Sequence, residues 1–246
     1  MGNLNIKGIV IKSIKFSDQD KIETVLTKER GRITMMAKGA MRPKGNLGIV
    51  TRFLSCADFT LFKGKGMYIL TSADFIRNYD GIEQDMEKLT YCSHFTDMMT
   101  DAVQEGQPFP EAVEHFLYTV NKINSSTFEK FEMIRVLFEL RLLFIMGYTP
   151  KLDYCSICKQ KIEEKCYFSL YNDGLCCEKH KPNEAFVELN KISLDTIRYI
   201  ATIQAKNLYQ LNVSEEALQK LSEISYMYIM NKLDKRYTKI EMLKRL

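Results

Sequence analysis

The chain has 246 residues, 27% charged and 46% hydrophobic, with only 12 Gly and 5 Pro, which excludes a collagen-like or low-complexity disordered polymer. No apolar run reaches the roughly 20 residues that a bilayer demands: the nearest, Leu137 to Met146, is interrupted by Glu139 and Arg141, so no membrane partner is expected. The formal charge of +4 hides an asymmetry, because residues 1–80 hold 14 Lys/Arg against 7 Asp/Glu and the remainder holds 21 against 24; a basic partner surface, if present, lies at the front.

The N-terminus lacks an apolar signal core and Ile6 stands where a myristoylation motif would want Ser or Thr, so a cytoplasmic protein is expected. Seven cysteines in such a chain argue for metal binding over disulfides, since cytosolic thiols stay reduced and an odd count cannot pair completely.

From Leu4 to Arg77 short β-branched and aromatic runs alternate with turn residues and predict five strands, near Ile6–Phe16, Ile22–Thr27, Arg32–Lys38, Phe53–Phe62 and Met67–Ile76. Glu29 to Gly31 and Lys63 to Gly66 read as hairpin turns. Between strands three and four, Gly39 to Gly48 carries three Gly and one Pro, and is expected to be a mobile basic loop without regular structure. Five short strands in under 80 residues suggest a Greek-key OB-fold β-barrel, whose closure removes sheet edges, with an SH3-like barrel as the competing small fold.

From Gln84 the apolar period becomes helical. Met86, Leu89, Cys92, Phe95, Met99 and Val103 mark one helix, and Val113, Phe116, Leu117, Val120 and Ile123 mark a second that opens near Pro110. Ser126 to Glu129 has capping-box spacing and opens a third to Met146, apolar nearly all round and stopped by Gly147. Ser193 and Ser214 read as N-caps of two later helices. The fold class expected is α+β multidomain: an N-terminal OB barrel over 1–80, then a helical bundle over 81–246 with a zinc-knuckle insert at 152–182.

Within that insert, Cys155 and Cys158, then Cys177 and His180, form two pairs with two-residue gaps, separated by 18 residues, which is close to zinc-ribbon spacing. Two such knuckles complete the tetrahedron that zinc prefers. Cys176 and Cys166 compete for the third position, but only Cys177 repeats the two-residue gap. Four protein ligands close the site, and the His-x-Glu of zinc deaminases is missing from this sequence, so structural Zn²⁺ is expected rather than a catalytic ion.

On the front, Arg32, Lys38, Arg42, Lys44, Lys63 and Lys65, with Arg30 and Arg52, are interleaved with Met35, Met36 and several Phe. Cations attract phosphates and release counterions, and exposed aromatics stack on bases, so nucleic acid is the natural partner. Arg135 and Arg141 lie on the apolar third helix, where a charge must find a partner or reach solvent; an internal pair with Glu132 or Glu139 would supply one. His94 and His115 fall in amphipathic helices and offer little to catalysis, and no phosphate-binding P-loop is found. An enzyme is not expected.

Gly31-Arg32, the run Ala37-Lys-Gly-Ala-Met-Arg-Pro-Lys44, and the cysteine insert in this order resemble the RecO family of bacterial recombination mediators, over essentially the whole chain. Two departures are Met41, where the family often has another basic residue, and His180, commonly a fourth Cys. The resemblance implies a non-enzymatic, nucleoid-associated protein of recombinational repair in the RecF pathway. It would bind single- and double-stranded DNA, anneal complementary strands, and act with RecR to load RecA onto strands coated by single-strand-binding protein, whose acidic C-terminal tail would sit in the helical domain. A zinc-containing protein-interaction adaptor and an RNA-binding OB protein are the alternatives.

Overall fold

A computed structural model describes residues 3–42 and 47–243. The chain forms two compact units, one running to Val120 and including the C-terminal residues from Lys239, the other spanning Asn121–Thr238.

The first unit opens with β1 (Asn3–Lys15), β2 (Lys21–Thr27) and β3 (Gly31–Ala37), continues through one helical turn, α1 (Leu47–Val50), and adds β4 (Cys56–Lys63) and β5 (Tyr68–Arg77). β3 shows why these runs become strands: Gly31, Ile33, Met35 and Ala37 are buried while Arg32, Thr34 and Met36 are half-exposed, the two-residue period of a sheet with one face on a core. The strands bond in the order β1-β2-β3-β5-β4 and close as a barrel because β1 pairs antiparallel with both β2 and β4. A short parallel contact, Met35 to Tyr68 and Met36 to Ile69, joins β3 to β5. Val10, Val25, Ile33, Met35, Phe59 and Leu61 fill the interior.

Helices α2 (Asp80–Glu83), α3 (Met86–Ala102), α4 (Pro110–Ser125) and α9 (Lys239–Leu243) follow, with α4 running into the second unit. The Asp85 side chain caps α3 by accepting from the Lys88 N–H. Gly31 begins β3 at φ +59°, where a Cβ would stand 2.0 Å from the Gln107 carbonyl oxygen; glycine is required there by both conformation and space.

The second unit contains α5 (Phe131–Ile145), β6 (Cys166–Ser169), β7 (Gly174–Cys176), β8 (Phe186–Leu189), α6 (Lys191–Thr202), α7 (Ala205–Leu208) and α8 (Glu215–Leu233). α5 is buried on most of its circumference, as its composition requires. Its polar residues answer one another: Arg135 bonds Glu132 and Glu139, and Ser225 on α8 donates to Glu139. Arg141 instead donates to the Ile200 and Ala201 carbonyls at the end of α6, a favourable place for a cation at a helix C-terminus. The internal-pair reading therefore holds for Arg135.

Several local expectations are corrected. Leu47–Val50 is helical despite Gly48, and β4 begins at Cys56 because a turn over 52–55, with Leu54 at φ +60°, precedes it. The third helix opens through a 3₁₀ turn at Phe128–Lys130 with Thr127, not Ser126, in the cap position. Asn190 rather than Ser193 caps α6, accepting from the Ser193 N–H, whereas Ser214 caps α8 as expected. β8 was not foreseen. Pro43, Lys44, Gly45 and Asn46, the centre of the basic loop, lie outside the described residues.

Glu23 on β2 is fully buried, accepts from the Ser13 hydroxyl at 2.9 Å, and leaves its other oxygen without a partner among the described residues. Burial pushes its carboxyl up to about 7, against smaller opposing effects of Ser13 and Lys21. The unfolded chain releases this proton near pH 4, the folded one near pH 7, so stability is lost as pH rises across that interval. Glu23→Gln is expected to raise the urea midpoint at pH 8 clearly more than at pH 5; an equal effect at both would contradict the assignment.

Candidate metal centre and nucleic-acid interface

The metal cluster is built by turns held against a small sheet. Around Cys155 the chain folds back through Cys155 N–H to Gln160 O and Lys159 N–H to Cys155 O, with Lys159 in the left-handed region. Strand β6 pairs with β7, and the turn between them, Leu170 to Asp173, returns the chain toward the first knuckle. Ser156 N–H donates to Leu175 O and Leu175 N–H to Lys151 O, binding that knuckle to β7. Cys177 then starts a 3₁₀ turn, closed by His180 N–H to Cys177 O, that brings His180 over the same point.

The consequence is convergence: one ligand atom from each of Cys155, Cys158, Cys177 and His180 lies within 4.8 Å of the others. Cys158 Sγ is 3.8 Å from Cys177 Sγ, and His180 Nδ1 is 3.3 Å from Cys177 Sγ and 3.9 Å from Cys155 Sγ. A tetrahedron with metal–sulfur bonds of about 2.3 Å and metal–nitrogen bonds of about 2.0 Å has edges of roughly 3.5–3.8 Å, so the donor set fits a four-coordinate ion. The group can hold a metal ion. Burial opposes the Cys155 thiolate, yet backbone N–H groups of Cys158, Cys177 and Ile157 outweigh it and bring the thiol down to about 6. Cys177 moves up, through burial and the neighbouring cysteine sulfurs. Cys166 and Cys176 are buried in the sheet, where loss of solvent pushes their thiols up to about 12 and about 11; neither belongs to the cluster.

On the barrel, the loop after β3 is clasped to the loop between β1 and β2. Gly39 N–H donates to Asp20 Oδ1 at 2.8 Å, Met41 N–H to Gln19 O at 3.0 Å, and Arg42 Nε to Gln19 Oε1 at 2.7 Å. Lys38 and Arg42, both exposed, are thereby held on one cleft with Ser17, Asp18, Gln19 and Asp20. The bond from Gly39, helped by smaller contributions from Ser17, Lys38 and Arg42, outweighs desolvation and holds the Asp20 carboxyl below its ordinary range.

The other cations are more dispersed. Lys63 pairs with Tyr68, itself opposite Met35; in that register Arg32 lies three residues toward one end of β3 and Lys38 three toward the other. Arg32 is half-buried, and its backbone bonds Gln104 and Gly106. Lys65 is exposed in the β4–β5 turn, Arg52 sits 3.8 Å from Asp80, and Lys44 is outside the described residues. Sequence reasoning missed Gln19 and Asp20. The turn-forming run Ser17 to Asp20 is visible in the sequence, but its meeting with Gly39 and Arg42 depends on the register in which β2 pairs with β3.

Comparison with known proteins covers both halves of the chain. The family model Recombination protein O N terminal matches residues 1–79, and Recombination protein O C terminal matches 83–240. The chain is similar to the DNA repair protein RecO of Acetivibrio thermocellus, 35% identical over all of this chain and 98% of that protein. It is also similar to that of Clostridium perfringens strain 13, 30% identical over 96% of each, and to that of Clostridium acetobutylicum, 29% identical over 89% of this chain and 87% of the relative.

The cluster predicts a metal dependence specific to Cys177. Protein purified without chelator should carry close to one metal ion per chain by elemental analysis, Cys177→Ser should lose most of it, and Cys176→Ser should keep it. Equal retention in both variants would remove Cys177 from the ligand set.

Proposed function

The chain belongs to the RecO family of DNA repair and recombination proteins, and from that premise we propose that it is a non-enzymatic mediator of recombinational repair, acting in the cytoplasm at the nucleoid. In this reading it binds single- and double-stranded DNA, anneals complementary strands, and with RecR helps load RecA onto strands coated by single-strand-binding protein, whose C-terminal tail it engages. Residues 1–80 form the nucleic-acid domain, and 81–246 the helical domain with its insert at 152–182.

The observation that carries the reading is the match to RecO proteins along the entire chain. Physical support comes from the barrel. The closed order β1-β2-β3-β5-β4 is read as an OB barrel, a scaffold whose loops suit oligonucleotides. Lys38 and Arg42 on its clasp, with Arg32, Lys44, Lys63 and Lys65, supply cations for the phosphate backbone. Two polynucleotides repel each other; a surface that neutralises both raises their encounter rate, and annealing needs no bond-making step beyond base pairing.

Cys155, Cys158, Cys177 and His180 would hold Zn²⁺, for which three thiolates and one imidazole are an accepted set. When bound, the ion supplies a cross-link between the two knuckles. The four residues would take all four positions of a tetrahedron and leave no ligand site for water, so the ion would serve as a structural brace.

Salt titration tests the interface. For Lys38→Gln/Arg42→Gln, affinity for single-stranded oligonucleotide should fall and the slope of log K against log salt should flatten by about 0.7 per lost phosphate contact; an unchanged slope removes the clasp from the interface. Function is tested by annealing of oligonucleotides precoated with single-strand-binding protein, expected to accelerate on adding the protein. No acceleration, or tighter binding of a structured RNA competitor, would contradict the DNA-mediator reading.

A further inference from the structure

We infer that the Asp20 carboxylate occupies a phosphate position of the barrel clasp, so that a backbone phosphate of a bound polynucleotide displaces it from the Gly39 N–H and takes its place in the field of Lys38 and Arg42. This rests on the nucleic-acid reading above and assigns it a residue that opposes binding.

Three observations converge on Asp20. Its Oδ1 accepts the Gly39 N–H at 2.8 Å, and Gly39 stands at φ +69° with Arg42 folded over it, so that an added Cβ would lie 3.3 Å from the Arg42 side chain. An amide N–H at a left-handed glycine, flanked by a lysine and an arginine, is the donor set of an anion-binding concavity. The only anion it meets among the described residues is the protein's own. Second, both cations act on Asp20 electrostatically and help hold its carboxyl deprotonated. Third, the group is reachable: Asp20, Lys38, Gly39 and Arg42 line an open cleft of about 530 Å³ together with Ser17, Asp18 and Gln19.

The chemistry follows from exchange. Without nucleic acid the carboxylate takes the Gly39 N–H while the Gln19 side chain takes the Arg42 Nε–H, which keeps the clasp ordered. A phosphodiester carries the same charge, but a polynucleotide brings several at once, so it can take the position while its neighbouring phosphates gain other cations; a single small anion has no such advantage. Release of Asp20 leaves a carboxylate that recruits a cation from solution, which partly cancels the counterion release on binding. The wild-type salt slope is therefore shallower than the clasp's cations alone would give.

The test is anisotropy of labelled oligo-dT with full-length wild type, Asp20→Asn and Glu83→Gln across a salt series. Asp20→Asn keeps an acceptor for Gly39 and removes the charge. Glu83→Gln makes the same change of net charge on an exposed side chain of α2, outside the cleft. Asp20→Asn is expected to bind roughly two- to fivefold tighter than wild type, the range for one exposed charge pair, with a slope steeper by about 0.7, and Glu83→Gln to stay within about twofold of wild type on the same scale. Weaker binding by Asp20→Asn, or a gain no larger than that of Glu83→Gln, overturns the inference while leaving the DNA reading intact. Absence of binding by the wild type defeats that reading and the inference with it. Should Asp20→Asn fail to fold, the wild-type Asp20 carboxyl ¹³C resonance serves: it should move on addition of oligo-dT, and a fixed resonance at saturating oligonucleotide overturns the inference.

Discussion

The strand pairing that closes the N-terminal sheet is the constraint on which the barrel and its loops depend. β1 must serve two neighbours, β2 along its second half and β4 along its first, and a bulge between Val10 and Lys12 lets one strand bend enough to do both. Strand register also fixes where loops meet. Because Lys21 pairs with Ala37, the loop entering β2 and the loop leaving β3 emerge side by side, and the Gln19–Asp20 to Gly39–Arg42 bonds become available. The clasp thus converts a tertiary register into an ordered arrangement of charge.

The second unit solves a different problem, that of placing polar groups in a buried helix. Arg135 would be costly alone; between Glu132 and Glu139, with Ser222 and Ser225 from α8 completing the network, its charge is compensated and α5 is fixed against α8. The same unit carries the cysteine cluster, tied back to α8 where Tyr228 and Lys232 both donate to Asp173 in the β6–β7 turn. Asp173 sits at φ +45°, a conformation that aspartate tolerates better than most residues. The knuckle therefore has mechanical continuity with a long helix, which suits a brace.

Much of this was legible in the sequence where the signal is local. Alternation in Gly31–Ala37, the helical stripe from Pro110, the two-residue gaps at Cys155 and Cys177, and the Ser214 cap are short-range patterns, and each element lies where the pattern puts it. The failures share a cause. Ser193 and Ser126 have the chemistry of caps, but Asn190 and Thr127 hold those positions because the chain enters each helix in an extended conformation at that residue. The predicted strand Arg32–Lys38 already set those two cations at opposite ends of β3, but nothing in the sequence hinted that Lys63 pairs with Tyr68 opposite Met35, since strand register is a property of paired strands. Asp20 was invisible as part of the site for the same reason: its partner is 19 residues away.

The central claim is that polynucleotide lies on the barrel and its β1–β2 and post-β3 loops. Hydrogen–deuterium exchange of the full-length protein with and without saturating single-stranded DNA measures this directly. The account predicts that slowed exchange concentrates in residues 16–21 and 37–42 and extends to the β4–β5 turn, while the knuckle peptides from Cys155 to His180 change little. Protection confined to 121–238, with the barrel loops unaffected, would contradict it.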